Sequence, residues 1–417
     1  MATSSTLLTL QYIFLAVLVV AACSTQHGST DDDKQVYIVY MGSLPSEGKE
    51  YSPQSHHISI LQEVVNSRSA TDSLVRSYKR SFNGFSAKLT SEEAAKISGK
   101  CLKLIGARFY AQGDSSARDE YGHGVHTASI AAGNRVPRAS FFGIAEGIAT
   151  GGVPSARISV YKVCDARGGC QWDDFLAGFD DAIADGVDII MCSLGTELFG
   201  LHWVEDPVAI GTFHAMENGI LTVHSAGNSG PGIATTASTV PWLISVAASN
   251  TDRSIIDKIV LGNGKTLTGS GINSFILNRT KLPLSWDWGY QPPPKSCNGG
   301  SARECNPGCL DKKKVKGKIV VCDGNFHNYN PFDEALRAGA AGAIAVGKRN
   351  TSSIEPLPAS TIRYDGGYTE MQLYFYSTKN PEGTILKSEA TIDSEAPSLT
   401  PFSSRGPNMI APDILKV

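Results

Sequence analysis

The chain has 417 residues, 41% hydrophobic and 18% charged, with 37 Lys and Arg against 40 Asp and Glu, a net charge of −3. That length implies two to three domains. The composition is that of a globular protein, and the near-neutral balance excludes the basic footprint of a nucleic-acid-binding protein.

The N-terminal text "LLTLQYIFLAVLVVAAC" is apolar, ends in small residues and is followed by polar "STQHGSTDDDK". It predicts a secretory signal over residues 1–24, cleaved near Ala22 to Ser24, although no Lys or Arg precedes it. A membrane anchor is the alternative, but a run of about 17 residues with Gln11 inside it is at the short limit for spanning.

Residues 35–99 read as one small unit. "QVYIVYMG" alternates like a strand, "HHISILQEVV" has helical spacing, and "SLVRSYKRSFNGFSAKLT" predicts two strands around an Asn83-Gly84 turn. "SEEAAKISG" predicts a helix capped by Ser91 with acidic residues in its first turn. The order β-α-β-β-α is one strand short of the ferredoxin-like arrangement. The text after it begins a different unit, so the last strand is expected to be missing.

Over residues 101–280 strands and helices alternate: strand "ARISVYKV", helix "WDDFLAGFDDAIADG", strand "VDIIMCSLG", helix "DPVAIGTFHAMENG", strand "ILTVHSAGNSG" and strand "PWLISVAASN". Continuous Val/Ile runs separated by helices predict an α/β fold with a parallel sheet covered on both faces. Ligand sites in such sheets lie beyond the carboxyl ends of the strands. Ser193-Leu194-Gly195 and the turn Ser225–Asn228 stand at such ends. Residues 251–280 read as a hairpin around "LGNGKTL". Gly264-Lys265-Thr266 there is not a P-loop, because Ile259 occupies the place of the required Gly.

Residues 281–392 change character, from Pro-rich to Cys-rich and then to strand "KGKIVVCD", helix "FDEALRAGAAG" and strand "AIAVG", which predicts a self-contained β-rich insertion. Lys312, Lys313, Lys314, Lys316 and Lys318 read as the solvated edge of that first strand rather than as a phosphate patch. Residues 393–417 return to the preceding unit.

Nine cysteines are present: Cys23, Cys101, Cys164, Cys170, Cys192, Cys297, Cys305, Cys309 and Cys322. In a secreted chain such clusters point to disulfides. Cys164 is expected to pair with Cys170 across a short Gly-rich loop, and Cys309 with Cys322. A zinc site is disfavoured by the lack of Cys-x2-Cys and His-x3–5-His pairs. Asn278 and Asn350 head sequons for glycosylation.

The stretch "DEYGHGVHTAS" holds His123 and His126, three apart. A catalytic metal needs a third ligand, and the helical metalloprotease pattern spaces its histidines four apart beside a Glu. The pair reads as two packed histidines or as a catalytic base with a structural neighbour, with a metal hydrolase using both as a third, disfavoured reading. Asn228, in "SAGNSG", is either a turn residue or a donor aimed at an oxyanion. "SLG" can present an edge to which a peptide adds as a strand.

Together these pieces resemble the subtilisin-like serine proteases of the plant, cucumisin-like type. The resembling text includes "ARDEYGHGVHTASIAAGN", "FDDAIADGVDII", "DPVAIGTFHAMENGILTVHSAGNSGP", "SVAASNTDR" and "PFSSRGPN". The resemblance implies a subtilisin-like α/β core over 101–280 and 393–417. It implies a ferredoxin-like α+β inhibitory propeptide over 35–99 and a protease-associated domain over 281–392. It makes His123 the general base, His126 part of the helix framework, Asn228 the oxyanion-hole donor, and Ser193, Leu194 and Gly195 the substrate-binding strand. It implies no cofactor or metal, a peptide or protein substrate, the propeptide as intramolecular inhibitor, no nucleic-acid partner, no membrane after signal cleavage, and secretion to the plant cell wall or apoplast.

The departures are as informative. The family's aspartate lies in an Asp-Thr-Gly strand ahead of "GARFY", where this sequence passes directly through Gly99-Lys100-Cys101; Cys101 is therefore expected to be unpaired. The family's serine follows well after "SSRGPN", beyond Val417. Asp114 and Asp119 are the nearby carboxylates, and neither is expected to substitute. Val125 stands where the family has Thr, and His224 where it has Asn. The expectation is a serine endopeptidase by family, inactive as written, with a non-enzymatic remnant that inhibits or binds proteins as the alternative.

Overall fold

The computed structural model describes residues 34–45, 51–65, 69–98, 103–107, 117–165, 167, 169–195, 203–237, 239–277, 281–286, 297, 302–324, 326, 329–347 and 354–415. The signal segment, Cys23, Cys101, Asp114 and both sequon asparagines, Asn278 and Asn350, lie outside them. The chain divides into two compact units, Met1–Phe109 and Tyr110–Val417.

The first unit runs β1 (Gln35–Ser43), α1 (Pro53–Gln62), α2 (Ala70–Ser73), β2 (Leu74–Tyr78), β3 (Phe82–Leu89), α3 (Ser91–Ser98) and β4 (Lys103–Ala107). Its sheet has the order β2-β3-β1-β4 with every pair antiparallel. This is the complete ferredoxin-like arrangement, so the expectation of a missing last strand is corrected. The open edge of β1 would present a row of unpaired backbone groups, and the β-competent "KLIGA" segment pairs with it. Val39, Leu61, Phe85, Leu89 and Ile97 fill the core. Helix α1 starts at Ser52, whose hydroxyl accepts from the Ser55 N–H, with Pro53 in the first turn. Helix α3 is capped one residue earlier than expected. The Thr90 hydroxyl accepts from the Glu93 N–H, and the Glu93 carboxylate accepts from the Thr90 N–H, a capping box.

The Asn83-Gly84 turn is also corrected: both residues lie inside β3, and the chain reverses ahead of Phe82. The Asn83 amide is used elsewhere. Its oxygen faces His57 Nε2 at 2.8 Å and its nitrogen donates to the Tyr51 hydroxyl at 2.9 Å. His57 is fully buried, with Nδ1 2.7 Å from the Ser77 hydroxyl. Gly84 is required because a Cβ there would meet the Val39 carbonyl at 2.6 Å.

The second unit begins with α4 (His123–Ala132) and a hairpin, β5 (Val136–Phe141) and β6 (Ile144–Ala149), which the sequence pattern did not announce. Phe142 and Gly143 turn it with φ of 48° and 78°. Then follow α5 (Trp172–Ala184), β7 (Ile189–Cys192), α6 (Pro207–Glu217), β8 (Leu221–Ser225) and β9 (Ile244–Val246). Strands β7-β8-β9 form a parallel sheet in that order. Helices α5 and α6 pack on one face through Phe175, Phe179, Ile183, Val208 and Ala215, against Ile190 and Cys192 of β7. The opposite face carries Ile189, Met191, Leu221, Ile244 and Val246, all exposed. The predicted strand "ARISVYKV" does not form: residues 156–163 take no strand conformation, and Ile158 and Val160 are exposed. A strand buried on both faces needs a hydrogen-bonded neighbour, and the described residues offer it none.

The rest of the unit is one eight-stranded mixed sheet: β10 (Arg253–Leu261), β11 (Thr266–Ser270), β12 (Leu282–Ser285), β13 (Ile319–Asp323), β14 (Gly342–Val346), β15 (Ala359–Ile362), β16 (Glu382–Ile385) and β17 (Glu389–Ile392). The order is β11-β15-β14-β13-β12-β16-β10-β17, and a further β10–β11 pairing closes it into a barrel. The sheet thus begins at Arg253 rather than at residue 281, because the β10–β11 hairpin supplies the closing seam. Successive residues of β13 serve two cores. Ile319 and Val321 join Ile259, Ile344 and Met371, whereas Val320 and Cys322 join Phe332 and Ala335 of the helix Pro331–Ala338. The lysine cluster is corrected as well: Lys312–Val315 is a short helix capped by Asp311, and the strand starts only at Ile319.

Cys164 pairs with Cys170 as expected. The other two bridges are Cys297–Cys309 and Cys305–Cys322, not Cys309–Cys322. A turn at Pro307-Gly308, with Gly308 at φ 82°, points the two neighbouring cysteines into different cores. Cys305 packs with Cys322 and Leu310, and Cys309 packs with Cys297 and Ala302. These bridges occupy all four cysteines of the cluster, which leaves none for zinc. Among the described residues Cys192 is free, and it is buried.

Burial holds the His57 ring below its ordinary pKa, against the opposing effect of the Asn83 hydrogen bond. The unfolded chain therefore takes up this proton first as pH falls. The stability contribution is complete above pH 6.5 and is lost as pH falls through the folded-state value. Thermal melts followed by circular dichroism should show wild-type stability declining below about pH 6.5. His57→Leu should flatten that decline, and an unchanged pH profile in the variant would refute the assignment. Asn83→Ala should lower stability by about 1–3 kcal/mol through the orphaned partners.

Candidate active site

Helix α4 is started by two local devices. Gly122 takes a left-handed φ of 98°, which aims His123 as the first helical residue. The Asp119 carboxylate accepts from the N–H groups of Tyr121, Gly122 and Val125 at 3.0, 2.7 and 2.7 Å. Those backbone bonds, Val125 foremost, hold the Asp119 carboxyl below its ordinary pKa. Asp119 is thus an anion at a helix N-terminus, engaged by the backbone. His126 sits one turn on, with its N–H bonded to the Gly122 carbonyl at 3.0 Å. Both histidines are exposed, and among the described residues no group of three metal-ligating side chains forms.

His123 reaches the sheet. Its Nε2 lies 3.0 Å from the Ser193 carbonyl oxygen, just beyond the carboxyl end of β7. A carbonyl oxygen only accepts, so Nε2 must be the donor and carry a proton. The register Cys192↔His224 sets Ser193–Gly195 beside Ser225–Gly227 at the same end of the sheet. The structure thereby brings together His123, Ser193, Leu194 and Gly195, and it places the turn that carries Asn228 at the neighbouring strand end.

Asn228 is exposed on a turn that is clasped from a distant part of the chain. The Ser404 N–H donates to the Gly227 carbonyl at 3.0 Å, and the Ser404 hydroxyl accepts from the Ser229 N–H at 3.1 Å. The Gly230 N–H donates to the Phe402 carbonyl at 2.9 Å, and Asn408 Nδ2 donates to the Thr239 carbonyl at 2.6 Å. Nothing local in "PFSSRGPN" marks Ser404 as the buttress of this turn; only the tertiary bonds reveal it.

Beneath Ser193–Gly195 lies a small cavity lined by Gly195, Asp206, Val208, His224, Thr239 and Val240. Asp206 caps α6, accepting from the Val208 N–H at 2.8 Å. Burial raises its pKa, lowers that of His224, and pushes the Cys192 thiol up to about 11. Sequence reasoning marked His224 only as a departure from the family and passed over Asp206.

Gly227 has φ 104°, and a Cβ on it would meet the Ser404 hydroxyl at 2.7 Å. Gly227→Ala should therefore destabilise this unit by at least about 1–3 kcal/mol, through strain at a left-handed position and a displaced clasp. Ser404→Ala should cost about 1 kcal/mol. Denaturant unfolding of the two variants measures both, and a wild-type midpoint for Gly227→Ala would contradict this geometry.

The profile of the Subtilase family matches residues 104–416, and that of Peptidase inhibitor I9 matches residues 36–100. All of strand β4 but Lys103 thus lies inside the subtilase match although it completes the sheet of the inhibitor-like unit. Subtilisin-like protease SBT4.6 of Arabidopsis thaliana is 43% identical over 502 residues, covering 100% of this chain and 67% of the relative. SBT4.3 and SBT4.4 of the same plant are 41% and 40% identical, covering 96% and 97% of this chain and 65% of each relative. The chain spans about two thirds of the length of these relatives. The first alignment is 502 residues long against a chain of 417, so that relative also carries internal segments absent here. With these matches, the chain belongs to the subtilase family, as a plant-type member with an inhibitory I9 propeptide.

Proposed function

We propose that the second unit is the peptide-binding half of a serine endopeptidase site. In it Ser193–Gly195 is the strand that receives substrate, His123 the general base and Asn228 the oxyanion donor. The observation that carries this is the 3.0 Å contact from His123 Nε2 to the Ser193 carbonyl, beside the turn bearing Asn228. In such a site the base takes the proton of a serine, the serine forms an acyl-enzyme, and the amide donor steadies the tetrahedral oxyanion. The flanking assignments accompany this one. Residues 1–24 are a secretory signal, the I9 unit inhibits its own protease, and the barrel from Arg253 to Ile392 corresponds to a protease-associated domain. Asn278 and Asn350 carry glycans, and the chain is secreted to the plant cell wall. The internal division follows 35–99, 101–280, 281–392 and 393–417, with β10 and β11 joined to the third segment.

These 417 residues alone do not turn over peptide. A general base needs its accepting lone pair on the nitrogen that faces the nucleophile, and a carboxylate holding the other N–H secures that tautomer. His123 instead has its Nε2 proton directed at Ser193, and the nearby Asp119 carboxylate is occupied by three backbone N–H groups. Neither the Asp-Thr-Gly strand nor the Gly-Thr-Ser-Met segment of the resembling proteases occurs in the sequence. Asp119 is also the observation that favours the second reading, a non-catalytic protein that binds peptides or inhibits proteases.

Residues 25–417 expressed in a secretory host should give no stoichiometric labelling by a fluorophosphonate probe and no turnover of a broad peptide panel. Any residual acceleration should stay on the order of 10³–10⁴ over water. Inserting the relatives' Asp-bearing segment after Gly99 and their Ser-bearing segment after Val417 should restore both, and His123→Ala should then abolish turnover. Stoichiometric labelling of the 417-residue chain itself would overturn the claim of inactivity. Failure of the completed chain to label would count against the protease assignment.

A further inference from the structure

The ring of His224 lies under the segment Ser193–Gly195 that follows β7, and a Cβ on Gly195 would touch its Cε1 at 3.8 Å. Nδ1 stands 2.7 Å from the Ser225 carbonyl oxygen, which can only accept, so this nitrogen carries a proton in either charge state. A neutral ring then presents a lone pair at Nε2, and a charged ring presents a second N–H.

The Leu194 carbonyl is the group this choice affects. Along an extended strand successive groups point to opposite sides. The Ser193 carbonyl faces His123 on the cleft side. The Leu194 carbonyl turns the other way and accepts weakly from Cys192 Sγ at 3.8 Å. It is also among the groups that favour the charged form of His224. A peptide can pair with Ser193 and Gly195 only while Leu194 stays turned inward. We infer that His224 is a positioning residue for this strand, holding the Leu194 carbonyl inward when the ring is doubly protonated and releasing it when the ring is neutral. This rests on Ser193–Gly195 being the peptide-binding strand, as proposed above.

The surroundings fix the direction of the response. Asp206, ahead of α6, is the acidic group facing the ring, and it favours the charged form together with the Ser225 and Leu194 carbonyls. Cys192 of β7 is the other titratable neighbour, and with its pKa near 11 it remains a thiol. The rest of the lining, including Val208, Thr239 and Val240, is uncharged. Burial outweighs the favourable groups and holds the ring below its ordinary pKa, so the charged form grows only on the acid side of pH 6.5. Peptide binding should therefore tighten as the medium acidifies. The resembling proteases have Asn at this position, which does not titrate.

The test uses the full chain and a fluorescein-labelled octapeptide of alternating Ala and Val, with dissociation constants from anisotropy between pH 7.5 and 5.0. Wild type should bind about three- to tenfold tighter at the acid end, the range of one ordinary net hydrogen bond. His224→Asn and His224→Gln should each remove the step, and His126→Asn, at an exposed histidine outside the site, should keep it. In parallel, protein labelled with ¹³C in His rings and Leu carbonyls and with ¹⁵N in Gly should show the Leu194 and Gly195 signals following the His224 titration. Persistence of the step in His224→Asn, or Leu194 and Gly195 signals that ignore the His224 titration, would overturn the inference. If no variant binds peptide at any pH while those signals do follow His224, the peptide-binding assignment is what fails.

Discussion

A parallel strand has two faces to bury, and β7, β8 and β9 have cover on one. Helices α5 and α6 seal the side that carries Ile190 and Cys192. On the other side Ile189, Met191, Leu221, Ile244 and Val246 face solvent. The exposure is inverted with respect to polarity, since Thr222, His224 and Ser245 are buried on the covered side. Parallel sheets occur with both faces covered, and among the described residues nothing covers the open side. The same shortage explains two further oddities. Helix α4 buries none of its residues, and residues 156–163 form no strand although their sequence is that of a buried strand.

The local parts of the candidate site do not depend on cover for that face. Asp119 and Gly122 start α4 within a few residues of His123. Ser404 and its neighbours hold the Gly227–Ser229 turn through backbone-directed bonds. Each piece is fixed by hydrogen bonds whose geometry is set nearby, so each keeps its place. Among the described residues no carboxylate links His123 to the other pieces. The tautomer of His123 is chosen by whichever acceptor stands near it, and here that is the Ser193 carbonyl on Nε2. A catalytic base is thus defined less by the identity of the residue than by what the neighbouring acceptors make of its two nitrogens.

Periodicity made α1, α3, α5, α6 and the three parallel strands legible, because each turns on the spacing of its own residues. The misses share a physical cause, which is that the deciding partner is remote in sequence. Asn83-Gly84 has the composition of a hairpin turn, but His57 and Tyr51 take its amide and the Val39 carbonyl takes the space at Gly84. Cys309 is nearer in sequence to Cys322 than Cys305 is, yet the turn at Gly308 turns it toward Cys297. Strand β4 belongs in sequence to the following segment, and only the open edge of β1 recruits it. The sequence of β10 and β11 reads as a free hairpin, and the seam it makes depends on β16 and β17, more than a hundred residues on. The roles of His123 and Asn228 came from resemblance, since spacing alone left metal, packing and turn chemistry open.

Burial is distributed unevenly between the parts of the second unit. In the barrel every residue of β13, β14 and β15 is buried, with one core inside the ring and another under the helix Pro331–Ala338. The disulfide Cys305–Cys322 ties the segment preceding that helix to β13. The three-stranded sheet has a single covered face and an edge strand, β7, with exposed Ile189 and Met191. Stability in proteins follows local burial and hydrogen bonding rather than being shared equally. The barrel is thus the rigid part, and the segment after β17 leads directly from it into Phe402–Asn408, which clasps the Asn228 turn. The turn that would bear the oxyanion donor is therefore anchored to the strand that leaves the barrel, whereas His123 is anchored to a helix with no buried face. The two pieces rest on supports of very different burial.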